Sequence, residues 1–169
     1  MNDVRIGKAQ RIHDQVLPQA YALLPERMWS DKASVMLLAI AGQESGFSAR
    51  RQVNGPAKGL WQFEVAGVAG VMDHPSSHKY AMSVCNFRSV DPIPVLIQEQ
   101  LANDDVLACC FARLLLWTDA NALPEITDQD SSWEYYKRNW RPGKPRLGEW
   151  QRNHEIAAAI INHKRENPN

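Results

Sequence analysis

"SDKASVMLLAIAGQESG", Ser30 to Gly46, is the clearest helix in the chain and the segment that decides its fold. Ser30 can cap it, Asp31 complements the positive end of its dipole, and Gly46 can close it in a left-handed conformation. From Ala33 to Ala41 it is apolar nearly all round, so it should be the buried central helix of the protein. Its last turn carries an acid, Glu44. Leu37, Ile40 and Ala41 lie seven, four and three residues earlier, which puts the carboxylate on their apolar face. Low-dielectric surroundings and the negative end of the helix both disfavour the ionised form. A carboxyl that stays protonated near neutral pH can serve as a general acid and then as a base. The competing reading turns Glu44 out to solvent beside the following loop, and periodicity alone does not choose between the two.

Helical patterns continue on both sides. Ile12, Val16 and Ala20 recur four apart, with Pro18 expected to bend or interrupt their segment. After the central helix, Asn54, Gly55 and Pro56 mark a loop over Phe47 to Lys58, and a second helix is expected from near Gly59 to Met72. Asp73 to Val90 reads as an irregular surface loop. Asp91 and Pro92 signal a new start, followed by one long helix or two joined near Asn103 to Asp105. Ser131 and Ser132 are candidate caps for "WEYYKRNW", a Pro- and Gly-rich connector spans Arg141 to Gly148, and Ile156, Ala157 and Ile160 give a closing helix its apolar face. No alternating strand pattern persists, so the expected fold is all-α, or mainly α with at most a small β element.

The 169 residues suit one domain, expected to be a monomer spanning 1–169. Nineteen basic residues balance nineteen acidic ones, which argues against nucleic acid or an anionic membrane surface as partner. Of three cysteines, the adjacent pair Cys109 and Cys110 in an apolar run reads as buried thiols, and the odd count points to folding in a reducing compartment. The amino-terminal stretch lacks the apolar core of a signal peptide, and no apolar run is long enough to span a bilayer.

"QESGF" at Gln43 to Phe47, followed by "GPAKGLWQF" at Gly55 to Phe63, resembles the lysozyme-like lytic transglycosylases of the soluble lytic transglycosylase and goose-type lysozyme group. That family pairs a catalytic Glu-Ser at the end of a buried helix with a Gly-Leu-Met-Gln segment. Glu44 and Ser45 match the first motif; Gly59, Leu60 and Gln62 match the second, with Trp61 in place of the methionine. The match covers about Ser30 to Gly70. "LLLWTDANALP" and "WEYYKRNWRPGKP" also look like segments of phage-encoded members. The resemblance implies a lysozyme-like fold, peptidoglycan glycan strands as substrate and Glu44 as general acid/base. The family's Ala-Tyr-Asn motif, whose tyrosine lies near the glutamate, is missing; "ACCFARLLLW" stands where it is expected, and Tyr136 or Tyr135 is left to replace it.

A cleft for amino sugars needs aromatic faces and amide or hydroxyl groups. Ser45, Trp61, Gln62, Phe63, Tyr136 and Trp140 are the candidates for substrate contact, although Trp61 suits the core equally well and Ser45 can bond to its own backbone. Trp133, Tyr136 and Trp140 share one helical face. Arg50, Arg51 and Lys58 can meet substrate carboxylates but are expected to be solvated. Glu64, Asp73, Asp91 and Glu99 are available as a second carboxylate, and none is assigned as nucleophile. Asp73, His74, His78 and Cys85 match no metal-ligand spacing, so neither metal nor cofactor is expected. The resemblance implies lytic transglycosylation, with a hydrolytic muramidase and a non-catalytic phage structural or wall-binding module as alternatives. Lacking an export signal but facing a wall substrate, such a protein is either an endolysin released from the host cytoplasm through a holin or an enzyme carried on the virion.

Overall fold

The computed structural model describes residues 2–166, and over these the chain is all-α. Helix α1 (Asn2–Arg11) runs through a π-helical turn (Ile12–Val16) into α2 (Leu17–Ala22). Pro18 explains the turn: it lacks an N–H and would clash with the carbonyl four residues back, and the wider π geometry makes room. The central helix is α3 (Asp31–Ser45). The Ser30 side chain accepts from the Ala33 N–H at 3.0 Å, and Gly46 closes the helix at φ 58°. Every residue from Ala33 to Gly42 is buried, because this helix is covered on all sides. Helix α9 (Leu147–Glu166) packs along it, and α7 (Asp105–Thr118), itself buried from Val106 to Leu114, meets it from another side.

Four expected boundaries are corrected. The helix predicted from Gly59 begins only at Val65 (α4, Val65–Asp73), since Gly59 and Gln62 both take left-handed backbone angles that interrupt a helix. Within the predicted loop 73–90 lies α5 (His78–Phe87), whose inner face of Ala81, Val84 and Cys85 is spaced at three and four residues but diluted by polar neighbours. The start expected at Asp91 and Pro92 falls at Pro94 instead, opening α6 (Pro94–Leu101). Helix α8 (Gln129–Trp140) is capped by Asp128, which accepts from the Ser131 N–H at 2.9 Å, and not by Ser131 or Ser132. The α6–α7 pattern resolves into two helices because Asp104 caps α7. β structure among the described residues is confined to isolated antiparallel bridges, Arg51 to Lys58 and Lys58 to Phe63. Cys85, Cys109 and Cys110 are buried and unbonded, and burial pushes the Cys85 thiol up to about 11. No described helix is long and apolar enough to cross a membrane.

Candidate active site

Glu44 stands at the end of α3 on the wall of a cleft of about 830 Å³. The hairpin between α3 and α4 forms the facing wall. Lys58 and Phe63 exchange backbone hydrogen bonds, at 3.0 and 2.8 Å, around the turn of Gly59 to Gln62. Gly59 is required there twice over: its φ is 79°, and a Cβ would lie 2.9 Å from the Leu101 carbonyl oxygen. Three side chains clamp the hairpin. The Trp61 indole donates to the Leu37 carbonyl at 2.9 Å, the Trp140 indole donates to the Trp61 carbonyl at 3.0 Å, and the buried Gln98 amide donates to the carbonyls of Pro56 and Phe63 at 2.7 and 2.9 Å. The cleft wall is therefore tied to α3, α8 and α6 together.

The Tyr136 hydroxyl donates to Glu44 Oε1 at 2.6 Å. This settles which of the two tyrosines reaches the acid, since the Tyr135 hydroxyl donates to the Leu116 carbonyl at 3.0 Å instead. Tyr136 is held from behind by aromatic contacts. Its ring stacks on Trp150 with centroids 4.8 Å apart and planes 14° from parallel, and Trp133 leans on both rings. The stack continues to His154, whose buried ring is held below the ordinary histidine value by desolvation.

Burial pushes the Glu44 carboxyl above the ordinary glutamate value, and the Tyr136 hydrogen bond, which favours the anion, offsets only part of this. Tyr136 is itself pushed up, by burial first and then by the adjacent carboxylate, so it remains a donor. The bond occupies Oε1 and leaves Oε2 to hold the proton.

The candidates chosen from sequence divide sharply. Glu44, Gln62, Phe63, Tyr136 and Trp140 all line the cleft. Gln62, with φ 50°, donates to the Gly59 and Ala49 carbonyls at 2.8 and 3.3 Å, and its Oε1 makes no bond among the described residues. Phe63 meets Trp140 edge-on at 6.0 Å. Trp61 and Ser45 are corrections. Trp61 is fully buried between the hairpin and α3, and the buried Ser45 hydroxyl donates to the Ala41 carbonyl at 2.8 Å, so both hold structure and do not face the cleft. Trp133 is likewise a core residue. Of the carboxylates, Glu64 shares the cleft with Glu44, whereas Glu99 is paired with Arg51 and Lys58 on the outside of the hairpin. His74 bonds to Ser76 and His78 to the Met72 carbonyl, and no group of three metal-ligating side chains converges among the described residues.

Sequence reasoning missed several contributors. Gln98 reaches Phe63 across 35 residues, and Trp150 supports the acid only through Tyr136, itself 92 residues from Glu44; no local pattern displays such contacts. Asp119 is another. Burial raises it, but hydrogen bonds from the Asn121 backbone and from the side chains of Asn139, Asn121 and Arg138 outweigh this and bring it down to about 2. It thereby fastens the cleft end of α8 to the loop after α7. Comparison with protein-family models, curated proteins and solved structures finds no match to this chain.

Proposed function

We propose that this protein cleaves the β-1,4 bond between N-acetylmuramic acid and N-acetylglucosamine in peptidoglycan by lytic transglycosylation. The observation that carries the reading is the Tyr136–Glu44 pair: one carboxyl, raised by burial, oriented by a phenol and set in an open cleft with an amide and aromatic edges beside it. The motif resemblance of Glu44-Ser45 and Gly59-Leu60-Trp61-Gln62 to the lysozyme-like transglycosylases supports the same assignment.

In this mechanism protonated Glu44 gives its proton to the glycosidic oxygen as the bond to the muramyl C1 breaks. The muramyl N-acetyl oxygen stabilises the developing positive charge. The carboxylate then takes the proton of that sugar's C6 hydroxyl as its oxygen closes on C1, which leaves a 1,6-anhydro end and restores the acid. Attack from within the same ring requires no bound water and gains the advantage of proximity. Tyr136 steadies the anionic half of the cycle, when Glu44 is ionised and most in need of a donor.

A second reading has its own observation. Glu64 opens on the same cleft, where a carboxylate could activate water for hydrolysis. Mass spectrometry of the muropeptides released from purified walls separates the two. Anhydromuramyl products that persist in Glu64→Gln and vanish in Glu44→Gln are expected. Products heavier by one water, with no anhydro ends, would replace transglycosylation by hydrolysis, and full activity in Glu44→Gln would remove both readings.

A further inference from the structure

A neutral chain has no reason to crowd cations, yet Lys137 to Arg146 contains five, in "KRNWRPGKPR", and acids are absent from that stretch. Four of them, Arg138, Arg141, Lys144 and Arg146, line the cleft that holds Glu44. Two are spoken for: Arg138 pairs with Asp119 at 2.8 Å and Arg146 with Glu149 at 2.9 Å. Arg141 and Lys144 have no carboxylate partner among the described residues and are exposed. The cations of the hairpin side present the opposite case. Arg50 is bound to Asp105 at 2.6 Å, and Arg51 and Lys58 both reach Glu99, so each of these is held by a carboxylate and none lines the cleft.

The segment bearing the two free cations is fixed in place. Arg141 ends α8 in the left-handed region, at φ 48°, where a non-glycine residue is strained. Pro142 and Pro145 stiffen the chain on either side of Lys144. The Arg146 carbonyl accepts from Gln43 Nε2 at 3.2 Å, which docks the segment on the residue adjoining Glu44. Cations held beside a catalytic acid, with their own neighbours neutralised and the backbone stiffened, make a prepared anion subsite.

We infer that Arg141 and Lys144 form a carboxylate-recognition subsite that selects anionic glycans over neutral ones. This rests on the glycan reading of the cleft. Peptidoglycan offers carboxylates from two sources, the lactyl group of bare muramic acid and the peptide stem, whereas chitin-type chains offer none. Exposed ion pairs are individually weak, and two of them together account for a preference on the order of tenfold for the charged ligand.

The test uses the full chain carrying Glu44→Gln, so that ligands bind without being cut. Titration calorimetry compares three tetrasaccharides: a chito-oligosaccharide, a glycan of alternating N-acetylglucosamine and bare muramic acid, and the same glycan bearing peptide stems. About tenfold tighter binding of a charged glycan is expected, shrinking toward parity as salt rises through the range that screens exposed charges, and shrinking likewise in Arg141→Gln/Lys144→Gln. Preference for the bare muramic form assigns the lactyl carboxylate; preference confined to the stem-bearing form assigns the peptide. Equal affinity for all three in the parent, or a preference that survives both the double substitution and high salt, overturns the subsite while leaving the glycan cleft intact. Failure of all three to bind overturns both. The salt series needs no substitution at the subsite and so stands even if the double variant folds poorly.

Discussion

Two helices end on the same cleft, and they end alike in backbone but opposite in charge. Helix α3 closes through Gly46 at φ 58° just beyond Glu44; helix α8 closes through Arg141 at φ 48°. At a helix carboxyl end a cation is welcome and a carboxylate is not. Glu44 therefore works against its position, and burial, which raises its carboxyl, is what keeps its proton available. Arg141 agrees with the dipole but conflicts with its own backbone, since glycine would take that angle without strain. Each end gives up stability for a side chain facing the cleft, one through electrostatics and the other through conformation.

The largest expected break in this comparison is Glu44→Gln. On the proposed mechanism, loss of the general acid should cost at least about a hundredfold in cleavage rate, measured as release of muropeptides. The same variant should melt higher than wild type at pH 7. Because the folded carboxyl lies above its ordinary value of 4.5, the wild-type acid favours the folded state only while protonated. That contribution is complete below pH 4.5 and fades as pH rises through the folded pKa, so the gap between the two proteins should close on acidification. Equal melting temperatures at every pH would mean that the carboxyl is not desolvated.

Tyr136→Phe comes next. The ring and its stack on Trp150 remain, and the donor is lost. A hydrogen bond to an ionised group contributes about 1.5 kcal/mol or more, so the rate should fall about tenfold. Because Tyr136 holds the Glu44 pKa down, its removal should move the alkaline limb of the pH–rate profile upward; an unmoved limb would show that the phenol does not act on the acid. Smallest are the two turn residues. Gly46→Ala, which meets no atom closer than an Arg5 guanidinium nitrogen at 3.7 Å, should lose about 1 kcal/mol from backbone strain alone in denaturant unfolding. Arg141→Gly should stay within about 0.5 kcal/mol of wild type, because relief of strain is offset by the lost charge at the helix end and by a looser unfolded chain.

What the sequence displays and what it conceals depend on the range of the interactions. The cap at Ser30, the close at Gly46 and the apolar girth of α3 are local, and the structure has all three as read. The setting of Glu44 is only half local: residues three, four and seven before it set its face, but its partner against solvent, Tyr136, comes from α8. Trp61 is ambiguous for a physical reason. An indole suits a sugar face or a helix groove equally well, and only the Leu37 carbonyl, supplied by another element, decides for the groove. Ser45 faces the same choice and turns to its own helix. The hairpin is hidden because nothing in Gly-Leu-Trp-Gln forbids a helix start until Leu101 crowds Gly59 from α6. Tyr136 and Tyr135 are adjacent and chemically identical, so only the rotation of α8 against α3 separates them.

The aromatic backing of Glu44 has a consequence for synthesis. The acid leaves the ribosome with α3, long before Tyr136, and Tyr136 in turn precedes the Trp150 ring on which it rests. A nascent or truncated chain that stops short of Trp150 carries the Glu44 carboxyl without its setting. In the proposed mechanism the acid thus becomes competent only once α9 has been made, so a chain interrupted before that helix is a blunt tool.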